Sequence, residues 1–306
     1  MHETTDGGPG RSRDRSDRLA GGHKMKNWQC LTIRAANLLG PNLGYPINRR
    51  IHFQPFDGWI RIYPTLVCNL SCPYCVNHHN PDEYRGNEYQ TLPPEKWVES
   101  LNRIGRNVVI TGGEPFLYTG LDRLVNGLRP ELKVKVYSNF SAGKTLEVAR
   151  RFEHPVEFFI SYHPASGPPD RVIENVLELR KAGRFNGHLH AIDTSDQRPR
   201  LAKALDQFRQ AGVTVQLDPD QRLLFPGSLM KGRQTVRCER RVILIGPDGS
   251  RHQCVSKLVR RKEQVGHILD NELPEKIEVI CGDYGFCAPC DFLGETRFRR
   301  VSLINS

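Results

Sequence analysis

The sequence predicts an α/β protein. Six strand–helix units over residues 58–218 form a partial (β/α)6 barrel of the TIM type, followed by a small β-hairpin, cysteine-rich module over 219–306. Three observations carry this reading. β-branched runs alternate with apolar stripes at helical spacing, and the connections are short, the pattern of a parallel sheet with helices outside. No Gly-rich dinucleotide fingerprint follows the first strand, which favours a barrel over an open nicotinamide-binding sheet. After Asp218 the rhythm changes to short strands around a Pro-Asp-Gly turn, with cysteines on either side.

Taken in order, residues 1–26 carry Gly, Ser, Arg and Asp without an apolar stretch. They read as a disordered tail with no signal peptide. Residues 27–57 read as irregular, with turn signals at Gly40-Pro41 and Gly44-Tyr45-Pro46. Trp59 to Tyr63 is the first strand. Pro93-Pro94 opens a helix with Trp97, Leu101 and Ile104 on one face. Asn107 to Thr111 is a β-branched strand closed by Gly112-Gly113-Glu114-Pro115. A stripe of Leu121, Leu124, Val125 and Leu128 follows, then a strand through Val134 and Val136 that ends at Ser138-Asn139. Leu146, Ala149 and Phe152 mark the third helix, and Val156 to Tyr162 the fourth strand. The fourth helix carries Val172, Ile173, Val176, Leu177 and Leu179 and stops at Gly183. Gly187 to Ile192 is a strand, Leu201, Leu205 and Phe208 a helix stripe, and Val213 to Leu217 the sixth strand.

In parallel β/α barrels chemistry gathers at the C-terminal ends of the strands. Here those ends carry the unusual residues. Cys68, Cys72 and Cys75 follow the first strand within eight residues, Gly112-Gly113-Glu114 the second, Ser138 the third, and Ser161 the fourth. Three soft thiolates so close together suit zinc or an iron–sulfur cluster. A structural zinc usually takes four protein ligands in two separated pairs, so three thiols with no fourth nearby point to a cluster with one iron left open. Further on, Cys238 and Cys254 flank the expected hairpin, and Cys281, Cys287 and Cys290 follow in a Gly-rich loop. That set reads as a second metal site, either a cluster or a zinc ribbon.

The bulk numbers fit this picture. The chain has 306 residues, 38% hydrophobic and 25% charged, ordinary for a globular protein. No apolar run is long enough for a transmembrane helix, so no membrane partner is expected. Nine cysteines, an odd number, without a secretion signal argue for metal or redox use in a reducing, cytoplasmic setting. The net charge is +10, and eleven Lys/Arg fall between Arg222 and Lys262 against Glu239 and Asp248. This basic run reads as a solvated face or as a docking surface for an anionic partner.

Cys68-x3-Cys72-x2-Cys75, with Tyr74 before the last cysteine, resembles the signature of the radical S-adenosylmethionine enzymes. Gly112-Gly113-Glu114-Pro115 after the second strand is similar to that family's amino-group-binding motif. Cys238, Cys254, Cys287 and Cys290 resemble the Twitch and SPASM extensions, with Cys281 as an alternate ligand. The resemblance covers roughly residues 58–292 and implies a radical SAM core over 58–218 and an auxiliary-cluster domain over 219–306. It further implies a [4Fe-4S] cluster on Cys68, Cys72 and Cys75, S-adenosylmethionine on its open iron, and one auxiliary [4Fe-4S] cluster. Reductive cleavage of S-adenosylmethionine would then yield a 5′-deoxyadenosyl radical that abstracts a substrate hydrogen. The family roles place Gly112, Gly113 and Glu114 near the amino group, Tyr74 near adenine, and Ser138 and Ser161 near ribose or carboxylate. An acidic electron donor such as flavodoxin or ferredoxin is implied as a partner.

Strand periodicity adds a hint about the substrate. If Ser161 faces the lumen, so do Phe159 and His163, with His188, His190, Gln216 and Asp218 beside them. Leu189, Ala191, Val213, Val215 and Leu217 would then pack against helices. A polar lumen, with His188 and His190 as substrate contacts, favours a polar small molecule or a peptide. The expected reaction is oxidation, or another modification, of a natural-product precursor. Peptide epimerisation or crosslinking is the nearest rival, and RNA modification or a zinc protein that binds nucleic acid would instead use the basic run.

Overall fold

A computed structural model describes residues 58–72, 75, 90–219, 234–240, 242–274 and 277–284. The tail 1–26, the segment 27–57, Tyr74, Cys287 and Cys290 lie outside the described residues.

Six parallel strands form the centre: β1 (Trp59–Thr65), β2 (Asn107–Gly112), β3 (Val134–Ser138), β4 (Val156–Tyr162), β5 (Gly187–Asp193) and β6 (Gln216–Pro219). Between them run α1 (Pro94–Ile104), α2 (Leu121–Asn126), α3 (Thr145–Arg150), α4 (Asp170–Lys181) and α5 (Arg198–Gln210). This mostly parallel α/β sheet is consistent with the expected partial barrel. Local chemistry sets the element ends. α1 starts on Pro94, whose fixed φ suits a first turn, and stops at Gly105 in the left-handed region, where the Gly105 N–H closes on the Leu101 carbonyl.

Alternation along β4 separates two faces. Val156, Phe158, Ile160 and Tyr162 are buried, and Glu157, Phe159 and Ser161 on the other side are half-buried. The first set joins the main core under the helices with Trp97, Leu101, Leu124, Val176 and Phe208. Leu189 and Ala191 of β5 are buried there as expected. Phe158 is the centre of an aromatic group, with the rings of Phe140, Phe152 and Phe185 at 5.5, 6.2 and 6.2 Å.

Three expectations need correction. The sixth strand begins at Gln216, because the Val213 N–H bonds the Phe208 carbonyl and closes α5. Leu217 is 49% exposed, on β6, which is the edge strand of the sheet among the described residues. Leu177 of α4 is likewise exposed and sits outside the apolar stripe.

The segment after β6 is more closely joined to the core than the sequence predicts. β8 (Ile243–Ile245), β9 (Ser250–His252) and β10 (Gln264–His267) continue the same sheet, in the order β10-β9-β8-β1-β2-β3-β4-β5-β6. β8 pairs in parallel with β1 and antiparallel with β9 across the Gly246–Gly249 turn. Its three residues are buried on both sides, which suits a strand inside a parallel sheet. Ile243 and Ile245 enter the main core. Leu244 faces a second cluster made by Tyr63, Leu66, Val242 and, from α6 (Val255–Val259), Leu258 and Val259. The turn is tied down where the Leu92 N–H bonds the Pro247 carbonyl at 2.8 Å. Arg103 donates to the carbonyls of Ile268 and Asp270, both at 2.7 Å. β7 (Gln234–Arg240) and β11 (Ile277–Tyr284) form a second, two-stranded antiparallel sheet.

The basic run is not one continuous solvated face. Arg251, Lys257 and Arg260 are buried, Lys257 pairs with Glu263, and Arg261 pairs with Asp248. Part of the positive charge therefore serves the interior of the β8–β10 region.

Phe158 gives a direct check on the core. Phe158→Ala should lower unfolding stability by about 3–5 kcal/mol, read as a shift of the denaturant midpoint. A change below about 1 kcal/mol would contradict its place at the centre of the aromatic group.

Candidate functional site

β1 leads directly into the cysteine loop, and the end of β2 lies against that lead-in. The Gly113 N–H bonds the Thr65 carbonyl at 3.0 Å, and the Glu114 N–H bonds the Val67 carbonyl at 2.8 Å. A Cβ on Gly112 would stand 2.1 Å from the Thr65 oxygen, and one on Gly113 2.1 Å from the Val67 oxygen. Gly112 also has φ +142°. Both glycines are thus required by the approach of two chain segments. The close contact expected with a ligand is, in the first place, a close contact with the strand that carries Cys68.

Glu114 comes next and has no exposed surface. Its Oε1 accepts from the Ser138 hydroxyl at 2.7 Å and the Phe116 N–H at 3.1 Å, and its Oε2 from the Asn139 N–H at 2.8 Å. Burial pushes this carboxyl up to about 7, and the three donors oppose that rise. The Ser138 hydroxyl, whose proton goes to Glu114, also accepts from the Phe140 N–H at 2.8 Å. Glu114 and Ser138, both expected beside a cofactor, are therefore bonded to each other, clasping the ends of β2 and β3.

Asn139 carries the clasp to the thiols. Its Nδ2 donates to the Asn69 Oδ1 at 2.9 Å and lies 3.7 Å from the Cys68 sulfur. Its Oδ1 accepts from the backbone and hydroxyl of Ser141 at 2.9 and 2.7 Å, and Asn69 donates to that same hydroxyl at 3.0 Å. Cys68 also accepts from the Leu70 N–H at 3.4 Å, and the Cys75 N–H turns back on the Cys72 carbonyl at 3.0 Å. Cys72 is buried, and Cys68 and Cys75 are half-buried. Burial pushes the Cys68 thiol up to about 11.

These residues fit an iron–sulfur cluster. A cubane takes its protein thiolates on different irons, and three thiols in one short loop, Cys68, Cys72 and Cys75, are a donor set of that kind. The N–H donors at Cys68 are the kind of outer contact that stabilises a ligand thiolate.

On the face away from the helices, β4, β5 and β6 bring polar side chains together. The Ser161 hydroxyl hydrogen-bonds His190 Nε2, and His190 Nδ1 lies 2.7 Å from Asp218 Oδ2. Gln216 Nε2 donates to the other Asp218 oxygen at 3.1 Å. His163 is close by; burial, with His190 adding to it, pushes it down to about 4. One rung lower, Tyr137 and Phe159 stack at 4.7 Å, and His188 lies 5.5 Å from the Phe159 ring and 3.6 Å from Glu157. His188 and His190 thus share the expected face, but only His190 joins the Ser161 group.

The downstream cysteines are only partly described. Cys254 caps α6, its sulfur accepting from the Lys257 N–H at 3.5 Å. In the β7–β11 ladder Cys238 is opposite Val279 and the buried Cys281 opposite Val236. Sequence reasoning marked Asn139 with Ser138 at the end of the third strand but gave Asn69 no role, and it did not pair the two. Their pairing spans seventy positions, and the only local sign was a polar residue at a strand end.

The clasp is testable through stability. Burial raises the folded-state carboxyl of Glu114 from 4.5 to about 7. Its contribution is therefore complete below pH 4.5 and is lost as pH rises through 7, a swing of about 3 kcal/mol. Glu114→Gln should flatten that part of the stability–pH curve; an unchanged slope would contradict the assignment. The amide would also leave the N–H of Phe116 or Asn139 without its acceptor, at about 1–3 kcal/mol. Gly113→Ala should be still less tolerated, because the new methyl meets a backbone oxygen. A Gly113→Ala protein that melted like the parent would refute the close packing.

A family model described as the Radical SAM superfamily matches residues 62–221, more than half of the chain. Over 116 residues the chain is 32% identical to the 7-carboxy-7-deazaguanine synthase of Clostridium acetobutylicum, which covers 36% of this chain and 48% of that protein. The chain thus spans about half the length of this relative. The matched region begins within β1 and takes in the cysteine loop, the Gly-Gly-Glu clasp and all of β2–β6. The chain belongs to the radical SAM superfamily.

Proposed function

We propose that the chain is a radical SAM oxidoreductase acting on a small polar substrate, held on the sheet face that carries Ser161, His188 and His190. One observation carries this reading most: the Cys68–Cys75 loop is fixed to the Gly112–Glu114 turn and to Asn139, so thiols and cofactor cradle form one unit. When bound, the [4Fe-4S] cluster and S-adenosylmethionine supply a 5′-deoxyadenosyl radical. The chain's own residues do the rest. Cys68, Cys72 and Cys75 would be the ligands, the backbone of Gly112 to Glu114 would meet the amino group, and Tyr74 would serve the adenine. Ser161, expected near ribose or carboxylate, is assigned to the substrate instead. Ser138 and the Glu114 side chain act by holding that turn in place.

The substrate reading rests on the polar wall of β4–β6, since the space beside β1 is filled by the apolar side chains of Leu244, Leu258 and Val259. The relative named for 7-carboxy-7-deazaguanine, itself a small polar molecule, supports a small substrate over a long peptide. Oxidation of a natural-product precursor is the favoured reaction. A second cluster is proposed on Cys238, Cys254 and the pair Cys287 and Cys290. The β7–β11 register, with Cys238 and Cys281 two rungs apart, favours Cys281 as a further candidate ligand. A cytoplasmic setting with an acidic electron donor such as flavodoxin or ferredoxin completes the proposal. No helix among the described residues is long and apolar enough to cross a membrane.

Anaerobic reconstitution is the test. The protein should turn brown with about eight irons, and with reductant it should release 5′-deoxyadenosine from S-adenosylmethionine. Cys72→Ala should abolish that release. Colourless protein with stoichiometric zinc, or a Cys72→Ala variant that still makes 5′-deoxyadenosine, would end this reading. Asn139→Leu removes the amide beside Cys68, and the reconstituted variant should bind less iron or show a lower cluster potential by EPR-monitored titration. Parental iron content and potential together would show that Asn139 plays no part at the cluster.

A further inference from the structure

We propose that Asp218, His190 and Ser161 form a proton relay that removes a proton from a hydroxyl of the substrate. The inference deepens the reading above and rests on it for a substrate to act upon, while the relay itself rests on the β4–β6 geometry alone.

Strand register builds the row. Ser161 is opposite His190 and His190 is opposite Gln216, with Asp218 two residues further along β6. A carboxylate only accepts, so the 2.7 Å contact with Asp218 places the imidazole proton on Nδ1. In the neutral imidazole Nε2 then carries the lone pair, and the Ser161 hydroxyl is placed to donate to it. Gln216 occupies the second Asp218 oxygen and keeps the carboxylate aligned. Among the described residues, the ionisable groups around His190 on this face are Asp218 on β6 and His163 at the end of β4. His188 lies one rung below, and Glu157, paired with Lys135 of β3, two rungs below. His163, pushed down to about 4, is neutral at ordinary pH and adds no cation to this face.

Burial does not explain the row. The His190 and Asp218 side chains are 28% and 25% exposed, so water could satisfy each one separately. Aligning three side chains costs rotamer freedom that isolated solvation would not. A hydroxyl that merely fixes a ribose needs no base behind it, whereas an imidazole oriented by a carboxylate is an arrangement that accepts protons.

The step balances without any further reagent. The substrate O–H proton passes to Ser161 Oγ as the original Oγ proton passes to His190 Nε2. An alkoxide and an imidazolium remain, the latter held by Asp218. The chemical class selected is an alcohol or polyol whose hydroxyl sits on the reacting carbon. Ser161 meets the substrate, and His190 and Asp218 act through it as positioning residues.

The relay has a signature that needs no knowledge of the substrate. A serine with a base behind it attacks diisopropyl fluorophosphate: the Oγ–P bond forms, the P–F bond breaks, fluoride leaves, and the proton goes to Nε2. Peptide mass spectrometry of the full-length protein should locate the adduct on Ser161. The labelling rate should fall roughly a hundredfold in His190→Gln and roughly tenfold or more in Asp218→Asn. Should His190→Gln fail to fold by circular dichroism, Asp218→Asn provides the comparison. No adduct on Ser161, or equal rates in the parent and the folded variants, would overturn the relay. A wild-type protein that makes no 5′-deoxyadenosine would instead overturn the radical reading and leave the labelling result standing.

Discussion

The arrangement of the rim depends on one buried carboxylate. Glu114 has no solvent contact, and its bonds reach the end of β3 through Ser138, the next backbone N–H at Asn139, and the turn that follows β2 at Phe116. Placing a carboxyl there costs several kcal/mol unless hydrogen bonds compensate. Three donors offset part of that cost, and the ends of two strands are joined at one point. Asn139 is then held by its backbone, which leaves its side chain to grip Asn69 and approach Cys68. The thiol loop is steady because the carboxylate beneath it is.

Strand direction explains why the remaining features share one edge. β1 to β6 all run parallel, so every strand delivers its last residues to the same rim. Cys68 follows β1, Glu114 follows β2, Asn139 follows β3, and Ser161 and His190 lie near the ends of β4 and β5. The opposite face is divided in composition. Beside β1 and β8 it is closed by Tyr63, Leu244 and the apolar side of α6. Beside β4 to β6 it is lined by hydroxyl, imidazole and carboxylate groups.

Much of this was legible because it is local or periodic. Alternation in Val156 to Tyr162 told the core face from the other without any contact information, and Leu189 and Ala191 followed the same rule. The Gly-Gly pair marked a close approach, though not what was approached. Illegible features were those decided by distant partners. Ile243-Leu244-Ile245 looks like one arm of an isolated hairpin, and nothing local says that it lies parallel to β1. The basic run looks solvated, because the burial of Arg251 and the pairing of Lys257 with Glu263 depend on how the β9–β10 connection folds. Leu217 looks like core until its strand proves to be the edge of the sheet.

The same distinction bears on the two histidines. Sequence periodicity places His188 and His190 on one face and cannot separate them. Geometry does. His188 sits against Phe159 and Glu157, 46% exposed, in contacts that any half-buried imidazole could make. His190 stands between a hydroxyl and a carboxylate on two neighbouring strands, so each of its nitrogens has one defined role. A one-residue slip of β5 against β4 would turn His190 to the helix side and bring an aliphatic neighbour into its place. The β4–β5–β6 register that buries Leu189 and Ala191 is therefore also what aligns His190 with Ser161 and Asp218, and core packing and site chemistry are set by the same constraint.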